Sequence, residues 1–149
     1  MQERFKAFTV LIAKINRNIR RIKTEEMVEF GLKSPHVSCL YYLYTEGPLT
    51  AKELCVFCDE DKGALSRSVE FLENKGFIAS DNSSVKRYKT PIRLTETGLE
   101  LGKIIHDKID GVLSVSSEGL TEEERNVMYK CLAQISDNLQ MISSLKSKN

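Results

Sequence analysis

Apolar residues recur along the first 22 positions at Met1, Phe5, Phe8, Ile12, Ile15, Ile19 and Ile22. The steps of four and three make a heptad seam, the pattern of one long amphipathic helix. Its other faces carry Arg4, Lys6, Lys14, Arg17, Arg20, Arg21 and Lys23. A seam of that length needs a partner helix, from this chain or from a second copy. Gly31 and the Ser34-Pro35 pair interrupt it. Ser34 is suited to N-cap a second helix, with Pro35 at its first position. That helix runs to about Glu46, with Val37, Leu40, Tyr41 and Tyr44 inward, and Gly47-Pro48 stops it.

Thr50 and Glu53 form a capping box, which predicts a short third helix over about 51–57. A fourth begins near Asp61 and carries an inward stripe of Leu65, Val69 and Leu72; Gly76 is its C-terminal signal. A strand follows over 77–80, then a polar tip at 81–84. A second strand is predicted over about 87–94, with Tyr88, Thr90, Ile92 and Leu94 on one face and Arg87, Lys89 and Arg93 on the other. Pro91 cannot donate to a ladder, which predicts an edge position. Thr95 caps a fifth helix with Leu101, Ile105, Ile109 and Val112 at helical spacing. Thr121 and Glu124 form another capping box. The last helix repeats the heptad seam through Met128, Leu132, Ile135, Leu139 and Ile142.

The predicted class is mainly α (α+β). Three helices followed by a basic two-strand hairpin have the layout of a winged helix-turn-helix. The short turn at 58–60 suits that geometry, in which the second helix of the motif enters the major groove. The fourth helix then presents Lys62, Gly63, Ala64, Ser66, Arg67 and Glu70. Its small residues permit close approach to base edges, and Lys62, Ser66 and Arg67 supply phosphate and base contacts. Lys86, Arg87 and Lys89 on the hairpin suit phosphate or minor-groove contact. The bland alternative for each such residue is an ordinary solvated helix face; the order of the elements favours double-stranded DNA.

Composition narrows this picture. The chain has 149 residues, 41% hydrophobic and 29% charged, with a net charge of +1. One globular domain is expected, and any nucleic-acid site must be a local patch. No run of 18 apolar residues suggests a membrane span. The expected compartment is the cytoplasm, with Cys39, Cys55, Cys58 and Cys131 as reduced thiols. No Ser/His/Asp set, carboxylate dyad or phosphate-cradling glycine loop points to an enzyme.

Three stretches carry a resemblance. They are Gly47-Pro48-Leu49-Thr50-Ala51-Lys52-Glu53-Leu54, then Ala64 through Leu72-Glu73-Asn74-Lys75-Gly76-Phe77-Ile78, and finally Ile92-Arg93-Leu94-Thr95-Glu96-Thr97-Gly98. In order and spacing they resemble the MarR family of bacterial transcriptional regulators. The resemblance implies a homodimer held by helices in 1–30 and 99–149, with a winged helix-turn-helix lobe at 34–97. It implies a repressor on a pseudo-palindromic operator, relieved by an effector. Ser66 and Arg67 fall where the family reads DNA, and Arg87 near its wing arginine. The chain departs from the family in the wing, where Ser84, Val85 and Lys86 stand in place of an aspartate. Asp59, Glu60 and Asp61 crowd the start of the reading helix; they suit its dipole but would repel phosphate if they faced it. A winged helix that binds protein and does not read DNA is the alternative.

The resemblance also implies a small-molecule pocket, for which His36, Tyr41, Tyr42, Tyr44 and His106 are candidate lining residues. Core and rim packing is the plainer role for the tyrosines, and a polar surface position the plainer one for His36. Cys55 and Cys58 form a C-x-x-C, a candidate redox pair or oxidant sensor, although on a helix without a βαβ context two such cysteines are more often packing groups. His36, Cys39 and His106 could meet as zinc ligands between the second and fifth helices, but the chain has no His-x3-His pair. No metal and no cofactor are expected.

Overall fold

The computed structural model describes residues 2–80 and 89–146. Their elements are α1 (Gln2–Glu26), a 3-10 turn (Val28–Phe30), α2 (Ser34–Glu46), α3 (Ala51–Cys58), α4 (Lys62–Asn74), β1 (Ile78–Ser80), β2 (Ile92–Leu94), α5 (Glu96–Ser116) and α6 (Glu122–Lys146). The chain divides into two compact units, 1–110 and 111–149. The polar tip at 81–84 and Tyr88 lie outside the described residues, as do Met1 and the side chain of Phe5 in the first seam.

In the first unit α2 is the central helix. It packs against α1, α3, α4 and β2. That position explains a difference from the pattern-based expectation: Val37, Cys39, Leu40 and Leu43 are buried, while Tyr41 and Tyr44 are only half-buried. A helix contacted from several sides buries more than one stripe. Leu54 of α3, Leu65 and Leu72 of α4, Ile78, Ile92, and Leu101 with Ile105 of α5 complete the core.

Local hydrogen bonding sets the helix starts. The Thr50–Glu53 box forms as expected: the Glu53 N–H donates to Thr50 Oγ1 (3.2 Å), and the Thr50 N–H to Glu53 Oε2 (2.7 Å). Ser34 is not the cap of α2. Lys33 occupies that position, and its N–H donates to His36 Nδ1 (3.1 Å). The Ser34 N–H instead donates to Thr24 Oγ1 (3.1 Å), a partner from the end of α1.

β1 and β2 are antiparallel, with Ile78 opposite Leu94 and Ser80 opposite Ile92. The expected edge position of β2 is corrected at Ile92. Its N–H donates to the Leu49 carbonyl (2.8 Å), and the Leu49 N–H donates back to the Ile92 carbonyl (3.1 Å). The segment before α3 thus covers β2 on its second side. Pro91 precedes this pairing, so its missing donor costs nothing.

The junction of β2 and α5 is tightly tied to the turn after α4. Gly76 takes a positive φ of 77°, and its carbonyl accepts from the hydroxyls of Thr95 (2.6 Å) and Thr97 (3.1 Å). Thr95 Oγ1 in turn accepts from the Gly98 N–H (3.1 Å), the expected cap of α5.

The second unit contains the end of α5 and α6. The Thr121–Glu124 box forms, with N–H donations of 2.8 and 3.2 Å. On both long helices the heptad seams carry exposed apolar groups: Ile12, Ile15 and Ile19 on α1, Leu132, Leu139 and Ile142 on α6. Among the described residues no helix is long and apolar enough to cross a membrane.

Candidate nucleic-acid interface

α3 and α4 both pack on α2, joined by a three-residue turn. Asp59 takes the left-handed conformation (φ 50°, ψ 46°), which a short polar side chain tolerates. Its N–H points back to the Cys55 and Val56 carbonyls. Asp61 then caps α4, its carboxylate accepting from the Ala64 N–H at 2.8 Å. That acidic group is therefore committed to the helix start, where the dipole also favours it.

α4 has two distinct faces. Leu65, Ser68 and Leu72 are buried. Lys62, Gly63, Ser66, Arg67 and Glu70 are exposed. Ala64, expected among the contact residues, is half-buried beside the cap. A Cβ at position 63 would lie 3.4 Å from Asp61 Oδ1 and 3.6 Å from Arg67 Nη1, ordinary contact distances, so Gly63 contributes low bulk to this face without being required by its neighbours. The first turns of α4 thus offer a cation, a hydroxyl and low side-chain bulk on one solvent face. Lys89 is exposed; Lys86 and Arg87 lie outside the described residues.

The aromatic candidates separate into two places. Tyr41 stacks on His106 (6.1 Å between centroids, 13° between planes) and meets Tyr42 edge-on at 5.3 Å; Tyr44 lies 5.5 Å from His106. His106 is also 3.4 Å from Asp107 and 3.5 Å from Asp110. Burial, with Asp110 and Glu46 nearby, raises the Tyr41 hydroxyl above its ordinary range. His36 is elsewhere, stacked on Phe71 of α4 at 4.1 Å. It is half-buried, not a surface group, and burial with the Lys33 charge lowers its pKa. His36, Cys39 and His106 therefore have three different sets of neighbours. Among the described residues no group of three or more His, Cys, Asp or Glu side chains is placed to hold a metal ion.

The cysteines are not arranged as the C-x-x-C spacing suggests. Cys58 Sγ lies 3.8 Å from Cys39 Sγ, on α2, within thiol hydrogen-bond reach. Cys39 is buried, Cys55 and Cys58 are half-buried, and all are free thiols. The hydrogen bond with Cys39 and the Lys23 ammonium lower the Cys58 pKa against the opposing effect of burial. The same hydrogen bond, with burial, raises Cys39. Cys55 is raised by burial and by Cys58. Lys23 donates to Ser38 Oγ (3.2 Å), and burial lowers its own pKa. Sequence spacing missed the Cys39–Cys58 pair because its members are 19 residues apart, on different helices.

Comparison with known proteins agrees with this geometry. The MarR family model matches residues 30–87, which span α2, α3, α4 and β1. An uncharacterized HTH-type transcriptional regulator of Bacillus subtilis, YwoH, is 35% identical over 89 residues. That stretch is 58% of this chain and 65% of the relative, just under two-thirds of its length. A MarR family regulator from Neisseria meningitidis shares the fold with a TM-score of 0.80 at 18% identity, over 95% of this chain and 96% of the other. A Listeria monocytogenes protein described as a MarR family transcriptional regulator, solved with a 26mer DNA, superposes with a TM-score of 0.78 at 23% identity, covering 86% and 85% of the two chains. The matched segment lies on the helix-turn-helix, where the chain is similar to the MarR family, and the chain shares the fold of MarR family regulators over nearly its full length.

Proposed function

We propose that this protein is a sequence-specific transcriptional regulator that binds double-stranded DNA as a homodimer and represses by occluding promoter DNA. The observation that carries the reading is the division of α4. Its buried face holds it on α2 and α3, while Lys62, Ser66 and Arg67 are exposed on the opposite face. The wing, with Lys89 and the basic residues before it, adds backbone contacts. In this reading 34–97 is the DNA-binding lobe and 1–30 with 99–149 form the dimer interface. The exposed seams support this: Ile15 is 53% exposed and Leu139 56% in a single chain, and apolar stripes of that kind on long helices call for a partner. The Tyr41–Tyr42–His106 cluster is the candidate place for a small-molecule effector, which acts by favouring one spacing of the two reading helices. Action on promoter DNA places the protein in the cytoplasm.

The test is selection of bound duplexes from a random pool, followed by a salt titration. The expected winner is an inverted repeat with half-sites about one helical turn apart. Four or five phosphates neutralised per lobe predict a slope of log K against log salt of about −8. Recovery of no sequence in the presence and absence of reductant would overturn the reading.

A further inference from the structure

Cys39 and Cys58 form a site that the DNA-binding reading does not use. Cys39 sits inside α2, and Cys58 is the last residue of α3. Their sulfurs are 3.8 Å apart with no element between them. Cys58 is half-buried and reachable from solvent, whereas Cys39 is 1% exposed. The Cys39 hydrogen bond, and after it the cation of Lys23 on the neighbouring α1, lower the Cys58 pKa against burial and the Glu60 charge, and a nearby cation is one of the settings that favour the reactive thiolate. One sulfur thus belongs to a half-buried residue, and a second, on a fully buried residue, is held against it at hydrogen-bond distance.

We propose that Cys58 and Cys39 form a dithiol oxidised by hydroperoxides, with Cys58 the sulfur attacked first and Cys39 the sulfur that resolves it to an intramolecular disulfide. In the first step the Cys58 thiolate attacks the terminal oxygen of the hydroperoxide. An S–O bond forms, the O–O bond breaks, and the leaving alkoxide takes a proton to become the alcohol, or water where the oxidant is hydrogen peroxide. Cys58 is then a sulfenic acid. In the second step the Cys39 sulfur attacks the Cys58 sulfur. The S–S bond forms, the S–O bond breaks, and hydroxide combines with the Cys39 proton as water. Two thiols lose two electrons in all, and the hydroperoxide gains them.

The bond has a mechanical consequence. A disulfide is about 2.0 Å long, so the two sulfurs must close by nearly 2 Å. Cys58 is followed directly by left-handed Asp59, whose N–H is bonded to the Cys55 and Val56 carbonyls, and then by Asp61, which caps α4. Drawing Cys58 toward α2 therefore displaces the turn that sets the start of α4. This consequence, and only this, rests on the proposed DNA reading: the disulfide form is expected to bind the operator at least tenfold more weakly.

The test uses the full chain, treated with one to five equivalents of hydrogen peroxide, alkylated and digested with trypsin without reduction. The expected product joins the peptide 34–52, which holds Cys39, to the peptide 53–62, which holds Cys55 and Cys58. It persists in Cys55→Ser and Cys131→Ser, disappears in Cys58→Ser and Cys39→Ala, and reverts with dithiothreitol. A loop-linked 53–62 peptide, an interchain bond through Cys131 with Cys39 and Cys58 still alkylated, or Cys58 oxidised to the sulfinic acid without cross-linking would each overturn the proposal. Operator affinity is measured on the same samples. A cross-linked protein that binds as tightly as the reduced one refutes the mechanical consequence. Reduced protein that binds no DNA refutes the DNA reading, while the peptide map still decides the dithiol.

Discussion

Replacing Gly98 by alanine tests the packing that joins the wing to α5. The φ of Gly98 is compatible with any residue, so conformational freedom is not the reason for glycine here. Space is. A Cβ at position 98 would lie 1.8 Å from the Phe77 carbonyl oxygen and 2.8 Å from its carbonyl carbon. These are backbone atoms, so no side chain can swing away, and α5 must withdraw by more than 1 Å. The same few ångströms hold the Thr95 N–H bond to the Phe77 carbonyl (3.0 Å) and the Thr95 and Thr97 hydroxyl bonds to the Gly76 carbonyl. Overpacking costs about 1–3 kcal/mol, and each loosened hydrogen bond about 1 kcal/mol more. Gly98→Ala is therefore expected to destabilise by about 4 kcal/mol. At this chain length that corresponds to a fall in Tm of roughly 8–16 °C. The assay is thermal unfolding by circular dichroism at fixed chain concentration, because dimerisation makes Tm concentration-dependent. Gly111→Ala serves as the control: a Cβ there meets nothing within 4 Å inside a helix, so the substitution should stabilise by about 0.5–1 kcal/mol. A Gly98→Ala protein melting within 2 °C of the parent would refute the reasoning.

Four further outcomes are expected. Arg67→Ala should cost about 1–3 kcal/mol in operator binding, roughly five- to 150-fold, and relax specificity at one base position; fluorescence anisotropy on matched and mismatched duplexes checks it. Asp61→Ala should lose about 1 kcal/mol of stability through the missing bond to the Ala64 N–H, read as a shift of the urea midpoint. His36 has a pKa lowered by burial and Lys33, and its Nδ1 must be unprotonated to accept from the Lys33 N–H. The unfolded chain therefore binds the extra proton first, so the stabilisation is complete above the ordinary histidine pKa and is lost as pH falls below it toward the folded value; His36→Gln should flatten this part of a stability-against-pH curve. Ile15→Asp and Leu139→Asp should each shift the protein in light scattering toward the 16.9 kDa monomer, and a mutant still fully dimeric would show that its seam does not form the interface.

What could be read from the chain, and what could not, follows the range of the interactions. Thr50–Glu53, Thr121–Glu124 and Thr95–Gly98 are pairs three residues apart, and each was legible because a cap closes within one helical turn. Ser34 has the right chemistry for a cap. Its N–H is instead bonded by Thr24 ten positions earlier, and the start of α2 moves to Lys33. The inward face of α2 departs from its periodic pattern for a related reason. Periodicity finds one apolar stripe, but a central helix is contacted from several directions, so Cys39 and Leu43 are buried and Tyr41 and Tyr44 are drawn to the rim.

The same argument bears on the candidate sites. The outward face of α4 was legible because alternation between buried and exposed positions is local to one helix; the half-burial of Ala64 is the only departure among its named residues. The cysteines show the opposite case. Spacing pairs Cys58 with Cys55, since three residues on a helix place two side chains on adjoining faces. Contact instead pairs Cys58 with Cys39, because α3 ends against the middle of α2. The choice between these pairings changes the chemistry. A Cys55–Cys58 bond would close a loop within α3 and leave α2 untouched. A Cys39–Cys58 bond would fasten the end of α3 to the central helix at the residue before the turn into α4. Only the second couples a redox event to the element proposed to read DNA, and that coupling depends on tertiary packing that C-x-x-C spacing cannot encode.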